Sequence, residues 1–293
     1  MLPDGPATLG GAAREAQRTL SAAGIEDAGR DARLLLAAAA KCSTGDIIAH
    51  PEREVPAEVR VRLGEMLARR KAHEPVSRIL GVREFYGRPF LLSPATLDPR
   101  PDSETLIDAV LAIAAREGWR DKPVRILDIG TGTGCLLLTL LAELPQATGL
   151  GTDISSEALA IAAMNAAALG VGERAAFAVH DVLDGVEQPF DFVVSNPPYN
   201  PSGEIAGLDP EVRNFDPRAA LDGGADGLDI YRRIADALDR VLRGWVVLEV
   251  GAGQADAVAL VLQQAFVKTR RAELSRHCDL GGHVRCVALR LQS

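Results

Sequence analysis

The sequence predicts an α/β protein: a doubly wound, mostly parallel sheet preceded by a small bundle of helices. Three observations predict it. From Val124 onward, short apolar runs alternate with amphipathic helical stretches; two extended runs follow one another near the C-terminal end; and the first 75 residues carry only the helical period.

The helical part reads as three stretches. Thr8 to Ala23 stops at Gly24, Asp27 to Ala40 contains an unbroken Leu-Ala run, and Pro56, a good first-turn residue, opens a stretch to about His73. Arg69, Arg70 and Lys71 fall in the last turn of that stretch, where cations oppose the helix dipole. From Pro75 to Pro101 the pattern changes to turns and short extended runs. Tyr86-Gly87-Arg88-Pro89 reads as a turn between Val82–Phe85 and Phe90–Leu92, a hairpin that would connect the two parts. The expected organisation is therefore a helical domain over 1–75, a hairpin linker over 76–101 and a catalytic domain over 102–293.

That last part opens with an amphipathic helix, Asp102 to Glu117. A short apolar strand follows Lys122-Pro123 and ends at Asp128, and further strands are expected near Ala147–Thr152, Arg174–His180, Phe190–Ser195 and Trp245–Val250, with helices over Ser156–Leu169, Leu228–Leu242 and Gln254–Phe266. Two final runs, Val267–Leu274 and Val284–Leu291, predict an antiparallel edge.

Two stretches carry chemistry. In FDFVVSNPPY, the buried-strand composition of Phe190–Val194 meets Pro197-Pro198, which cannot donate to a ladder and so ends the strand at Ser195-Asn196. Each residue before a proline is pushed out of the helical region, so Asn196 and Pro197 form a stiff extended tip. It offers a side-chain carbonyl, backbone carbonyls and the aromatic face of Tyr199. Such a tip suits a planar NH2 group: two fixed acceptors hold its hydrogens, favour pyramidal nitrogen and aim the lone pair at an electrophile.

The second stretch, Asp128-Ile129-Gly130-Thr131-Gly132-Thr133-Gly134, is a strand-to-helix glycine turn. A dinucleotide fingerprint would need glycine at 135, where Cys135 stands. The D-x-G-x-G-x-G spacing instead resembles that of the class I methyltransferase fold, whose cofactor, S-adenosyl-L-methionine, has no pyrophosphate for a helix N-terminus to hold. Asp153, at the end of the second strand, can accept both ribose hydroxyls. Asp181, after the third, is placed to meet the adenine amine, with Val182 packing on the ring. In such a sheet the strands ending at Asp128 and Asn196 are neighbours across the switch point, so cofactor and tip share one crevice.

Composition narrows the partners. Residues 1–85 hold 13 Lys+Arg against 12 Asp+Glu, while the remainder holds 19 against 28, an acidic balance that disfavours binding a phosphate backbone directly. No 18-residue apolar stretch occurs, and the N-terminus MLPDGPATLGG has an acid where a signal peptide would carry positive charge, so a cytoplasmic location without membrane contact is expected. Cys42, Cys135, Cys278 and Cys286 show neither CxxC nor zinc spacing; no metal is expected, and the thiols are expected to stay reduced.

The chain resembles the HemK/PrmC family of protein-(glutamine-N(5)) methyltransferases. The resemblance is carried by GVREFYGRPFLLSPATLDPRPDSE (81–104), DIGTGTG (128–134), SNPPY (195–199), EVRNFDPRAALDGGADGLDIYRRI (211–234), LEVGAGQ (248–254) and DLGGHVR (279–285). SNPPY alone is shared with methyltransferases of adenine or guanine amino groups; the first and fourth stretches are more specific. Ser103 stands where threonine is commoner in the family, Asp216 where Glu is, and Val182 where some members have an aromatic.

The resemblance implies a Rossmann-like, seven-stranded sheet with an antiparallel edge strand and a helical substrate-recognition domain. It implies methylation of the glutamine of the Gly-Gly-Gln motif in peptide chain release factors, by a monomer, leaving S-adenosyl-L-homocysteine. Asp128, Gly130, Thr131, Gly132, Thr133, Gly134, Asp153, Ile154, Asp181, Val182 and Asn196 would hold the cofactor. Asn196, Pro197, Pro198 and Tyr199 would hold the glutamine, with Asn196, Pro197 and Tyr199 catalytic. A nucleic-acid amino methyltransferase, a ribosomal-protein glutamine methyltransferase and a non-catalytic binding protein are the alternatives.

Overall fold

The computed structural model describes residues 8–266 and 272–291. The chain divides into two compact units: residues up to Val82 together with Pro210–Phe215, and Arg83–Asp209 together with the residues from Asp216 onward.

The first unit is helical. It contains α1 (Leu9–Ala22), α2 (Ala28–Ala40), α3 (Thr44–Ala49), α4 (Ala57–Lys71) and α5 (Val76–Leu80). Thr8 caps α1 by accepting from the Gly11 amide, and Leu9, Ala12, Ala16 and Leu20 bury one stripe of it at helical spacing. That stripe meets Leu35 and Leu36 of α2 and Val59, Leu63 and Leu67 of α4 in one core. Helices α3 and α5 were not expected, being too short to display a period. In α3 the local chemistry suffices, because Ser43 and Asp46 form a reciprocal capping box.

Of the three cations ending α4, Arg70 is buried, and its guanidinium binds Asp31 of α2 (2.7 Å) and Glu211 (2.6 Å). Arg69 pairs with Glu74 nearer the surface. Glu211 comes from the 210–215 segment, which carries the short helix α9 (Pro210–Arg213).

A hairpin follows, β1 (Val82–Phe85) and β2 (Arg88–Leu91), which belongs to the second unit from Arg83 onward. Its turn is two residues, not four: Tyr86 and Gly87 both have left-handed backbone (φ 51° and 72°), the geometry that matches strand twist, so β2 starts at Arg88. The hairpin, expected as a connector, packs with this second unit. Phe85 and Phe90 meet edge to face within the core that holds Phe192, and the Asn165 side chain bonds both the amide and the carbonyl of Leu91.

A 3-10 turn, Pro101–Ser103, leads into α6 (Glu104–Arg116). Then follow β3 (Arg125–Ile129), α7 (Cys135–Glu143), β4 (Thr148–Asp153), α8 (Ser156–Ala168), β5 (Ala175–Val179) and β6 (Phe190–Ser195). Last come α10 (Asp229–Ala237), β7 (Leu242–Glu249), α11 (Ala255–Phe266), β8 (Ala272–Cys278) and β9 (Val284–Leu291). The helix expected over Leu228–Leu242 stops five residues early, and the following strand starts at Leu242 instead of Trp245. Gly244 explains the early start: a Cβ there would lie 2.3 Å from the Asp191 carbonyl, so only glycine lets β7 pair this far along β6. Residues 267–271 of the strand expected over Val267–Leu274 lie outside the described residues; β8 continues to Cys278.

Seven strands form one sheet in the order β5-β4-β3-β6-β7-β9-β8. The strands from β5 to β7 are parallel, and β9 runs antiparallel to both its neighbours, placing the reversed strand one in from the edge. Alternate residues of β6 and β7 face opposite layers. Phe192, Val194, Trp245 and Val247 pack toward α6 and α7, whereas Val193, Val246 and Leu248 pack toward α10 and α11.

Candidate active site

Parallel pairing aligns the ends of four strands. Ile129 of β3 pairs with Thr152 of β4 and with Ser195 of β6, and Ser195 pairs with Leu248 of β7. The next residue along each strand is therefore Gly130, Asp153, Asn196 and Glu249, one row along the carboxyl edge with β3 and β6 central. Here the chain reverses direction across the sheet, the place where open α/β sheets bind ligands. The row continues the parity of Val194 and Val247, so it belongs to the α6 and α7 side.

The glycine loop is bare where it meets this edge. Gly130 and Gly132 have left-handed backbone (φ 68° and 55°), and Gly130 is exposed with nothing within 4 Å of the place a Cβ would occupy. Gly134 has the opposite surroundings: a Cβ there would meet Leu138 at 2.8 Å and Ala162 at 3.3 Å, so this glycine lets α7 pack closely.

The loop is held from beneath. The Thr131 hydroxyl donates to Asp128 Oδ2 (2.6 Å), the Thr131 amide to the Thr152 carbonyl (2.8 Å) and the Gly132 amide to Asp153 Oδ2 (3.0 Å). Asp128, Thr131 and Thr133 are buried, so they shape the loop without presenting side chains to a ligand. Burial pushes the Asp128 carboxyl up to about 7, against the opposing hydrogen bond from Thr131. Burial likewise pushes the neighbouring Cys135 thiol up to about 12, which makes it a poor nucleophile.

Asp153 is half-buried; besides Gly132 it takes the Ser155 amide on Oδ1 (2.9 Å), and each oxygen keeps a lone pair for a ligand hydroxyl. Ile154 beside it is 58% exposed, an apolar surface next to an anchored carboxylate. A bare glycine turn, a fixed acceptor and an adjacent apolar face fit a nucleoside-bearing cofactor.

Asp181 is exposed and paired with Arg233 (2.9 Å). Val182 has left-handed backbone (φ 56°), unusual for a β-branched residue, and its side chain sits in the α10/α11 core with 9% exposure. It leaves little apolar surface for a ring.

At the tip, Ser195 is turned inward and donates to the Ile129 carbonyl (2.7 Å), locking β6 to β3. Asn196 is half-buried and donates from Nδ2 to Ser103 Oγ (3.2 Å). Among the described residues, neither Asn196 Oδ1 nor the Pro197 carbonyl accepts a hydrogen bond. Pro197 is buried; Pro198 and Tyr199 are half-buried.

Two glycine-rich segments brace the tip from behind. Gln254 donates to the Tyr199 carbonyl (2.9 Å), and Asn200 exchanges backbone hydrogen bonds with Leu221 and Gly223. A Cβ on Gly227 would lie 2.3 Å from the Tyr199 carbonyl, and its backbone is left-handed (φ 76°). Gly227→Ala should therefore cost about 1–3 kcal/mol of stability. Chemical denaturation followed by tryptophan fluorescence would measure it.

Several contributors had no role assigned from the sequence. Arg100 binds the buried Asp216 carboxylate, whose other oxygen takes the Asp98 amide (3.3 Å). Arg285 bridges Asp279 (2.9 Å) and Asp102 (2.8 Å). The stretches 98–104, 216 and 279–285, distant in sequence, thus converge around the tip. Glu249 is 3% exposed at the end of a strand that is otherwise buried and apolar from Gly244 onward. That lone acid in GWVVLEV was the available signal. A concavity of about 330 Å³ lies at the opposite, amino edge of the sheet, between Arg125, Gly149, Arg174 and Gln188, where strand-end geometry places no ligand.

Residues 12–81 match the family model of the PrmC N-terminal domain, and 106–207 that of the methyltransferase small domain. A release factor glutamine methyltransferase of Rhodospirillum rubrum is 47% identical over 92% of this chain and 81% of its own length. One from Cereibacter sphaeroides is 45% identical over 96% and 97%. Among solved structures, the catalytic domain of hMettl16 in complex with the MAT2A 3'UTR hairpin 6 superposes with a TM-score of 0.55 at 17% identity, covering 78% of this chain and 83% of that one, a likeness of fold alone. With identities this high over nearly its whole length, the chain belongs to the release factor glutamine methyltransferase family, the HemK/PrmC family that its motifs resemble.

Proposed function

We propose that this protein transfers a methyl group from S-adenosyl-L-methionine to the side-chain amide nitrogen of the Gly-Gly-Gln glutamine of peptide chain release factors. The observation that carries this reading is the pair of uncommitted acceptors, Asn196 Oδ1 and the Pro197 carbonyl, one strand from the bare glycine loop. When bound, the cofactor supplies an electrophilic methyl carbon.

Asn196 and Pro197 take the two hydrogens of the glutamine NH2, Tyr199 packs against its plane, and the nitrogen lone pair is left pointing at the electrophile. The tip itself contains no acid or base, and none is needed: an alkylated amide nitrogen is acidic enough to lose its proton to water. A glutamate side chain would set oxygen lone pairs against the same two acceptors, and that mismatch excludes it. Gly130, Gly132, Asp153 and Ile154 are the residues whose surroundings suit the cofactor, Asp153 through the ribose hydroxyls.

Asp153→Asn keeps one acceptor and loses the charge. It should weaken S-adenosylhomocysteine binding by about tenfold, the loss of one charge-assisted hydrogen bond; isothermal titration calorimetry would show it. Incubation with radiolabelled S-adenosylmethionine and either a release factor, the same factor with its glutamine replaced by glutamate, or nucleic acid tests the whole reading. Label is expected in the glutamine-containing factor alone. Label in nucleic acid, or equally in the glutamate variant, would refute it. No helix among the described residues is long and apolar enough to cross a membrane; we place the reaction in the cytoplasm, with the protein acting as a monomer.

A further inference from the structure

Asn196 can serve as an acceptor only if its carboxamide is turned with oxygen, not nitrogen, toward the substrate. The two ends of that group are nearly identical in shape, so something must choose between them. The side chains nearest that choice are Ser103, which meets Asn196, and Glu249, which Ser103 influences in turn.

Ser103 immediately precedes α6, where a serine ordinarily turns its hydroxyl onto the helix's own amides; here it makes no such bond. It is 2% exposed, and its Oγ instead meets Asn196 Nδ2 at 3.2 Å and the Glu249 carboxyl group. Glu249, in the strand-end row beside Asn196, is 3% exposed, and its second oxygen, Oε2, has no hydrogen-bond partner among the described residues. A hydroxyl has one proton to give, and a carboxylate can only accept. If Glu249 is ionised, the Ser103 proton goes to it. Ser103 can then only accept from Asn196, so Asn196 must present its NH2 to Ser103 and its oxygen to the substrate.

We propose that Ser103 and Glu249 are positioning residues: ionised Glu249 directs the Ser103 hydroxyl, and that hydroxyl holds Asn196 with Oδ1 facing the glutamine NH2. This deepens the reading of Asn196 as an acceptor and rests on it. The converse state is equally defined. Protonated Glu249 donates to Ser103, Ser103 donates to Asn196 Oδ1, and the carboxamide turns over to set its own NH2 against that of the substrate.

Both states lie near neutral pH. Burial, helped by Asp102, pushes the Glu249 carboxyl up to about 7 against the bond to Ser103 and the charges of Arg285 and Arg100. The other titratable groups facing it are Tyr199 beyond β6, Tyr231 of α10, Cys286 of β9 and Cys135 of α7. Burial raises the pKa of all four, so they stay neutral between pH 6 and 8.5. The methylation rate should then rise with pH through about 7, as Glu249 loses its proton.

The test is steady-state methylation of a release factor by the full-length protein, from pH 6 to 8.5, for Ser103→Ala, Ser103→Thr, Glu249→Gln and Asn196→Ala, with S-adenosylhomocysteine affinity measured alongside. Ser103→Ala should lower kcat about tenfold at unchanged cofactor affinity, Ser103→Thr should restore it, and Glu249→Gln should flatten the rise with pH. Wild-type kcat in Ser103→Ala, or a pH profile in Glu249→Gln that matches wild type, overturns the relay while Asn196→Ala remains inactive. Full activity in Asn196→Ala overturns the acceptor reading itself.

Discussion

Asn196→Ala is expected to lower the methylation rate by about 10²–10³-fold, the scale of losing one preorganised polar partner of a reacting group. In the proposed mechanism the substitution leaves the Pro197 carbonyl in place but removes the acceptor for the second hydrogen, so the nitrogen would be neither aimed nor made pyramidal. Folding should be unaffected, because Asn196 is half-buried and, among the described residues, its side chain makes a single hydrogen bond, to Ser103. The expected signature is a fall in kcat with unchanged S-adenosylhomocysteine affinity, read by stopped assay and calorimetry. A variant within twofold of the wild-type rate would remove Asn196 from the chemistry.

The second large effect is on stability. Arg70→Ala should destabilise the helical unit by about 3–5 kcal/mol, because it leaves the carboxylate of Asp31 buried and that of Glu211 half-buried without their shared cation. Surface pairs such as Arg69 with Glu74 are worth far less, so Arg69→Ala should cost under about 1 kcal/mol. Urea unfolding with circular dichroism separates the two. Because Glu211 lies in the segment 210–215, loss of Arg70 should also raise proteolysis of that segment; equal susceptibility in both variants would argue against the ion pair as its anchor.

Much of this was legible before any coordinates. The strand Phe190–Ser195 stops where Pro197 and Pro198 forbid a ladder, and α8 and β9 lie within a residue of their expected limits. These are local matters of period, donor loss and turn chemistry. The errors are tertiary. The end of α10 and the start of β7 misled because Gly244, an apparent breaker, is required by the close approach of Asp191. The hairpin read as a linker because nothing in its own residues reveals that Asn165, 74 positions from Leu91, bonds its backbone. Asp128 reads as a ligand from its motif, yet it lies wholly beneath the loop that it shapes.

By itself the sequence determined the family, the seven strands, and the two motifs to which we assign the electrophile and the amide, since each depends on residues adjacent in the chain. Only the tertiary structure decided that Gly130, Asp153, Asn196 and Glu249 form one row, and that a serine at the head of α6 stands between an asparagine and a buried acid. Strand neighbours and the direction of a shared proton arise from groups as many as 146 residues apart, such as Ser103 and Glu249, and no local period encodes them.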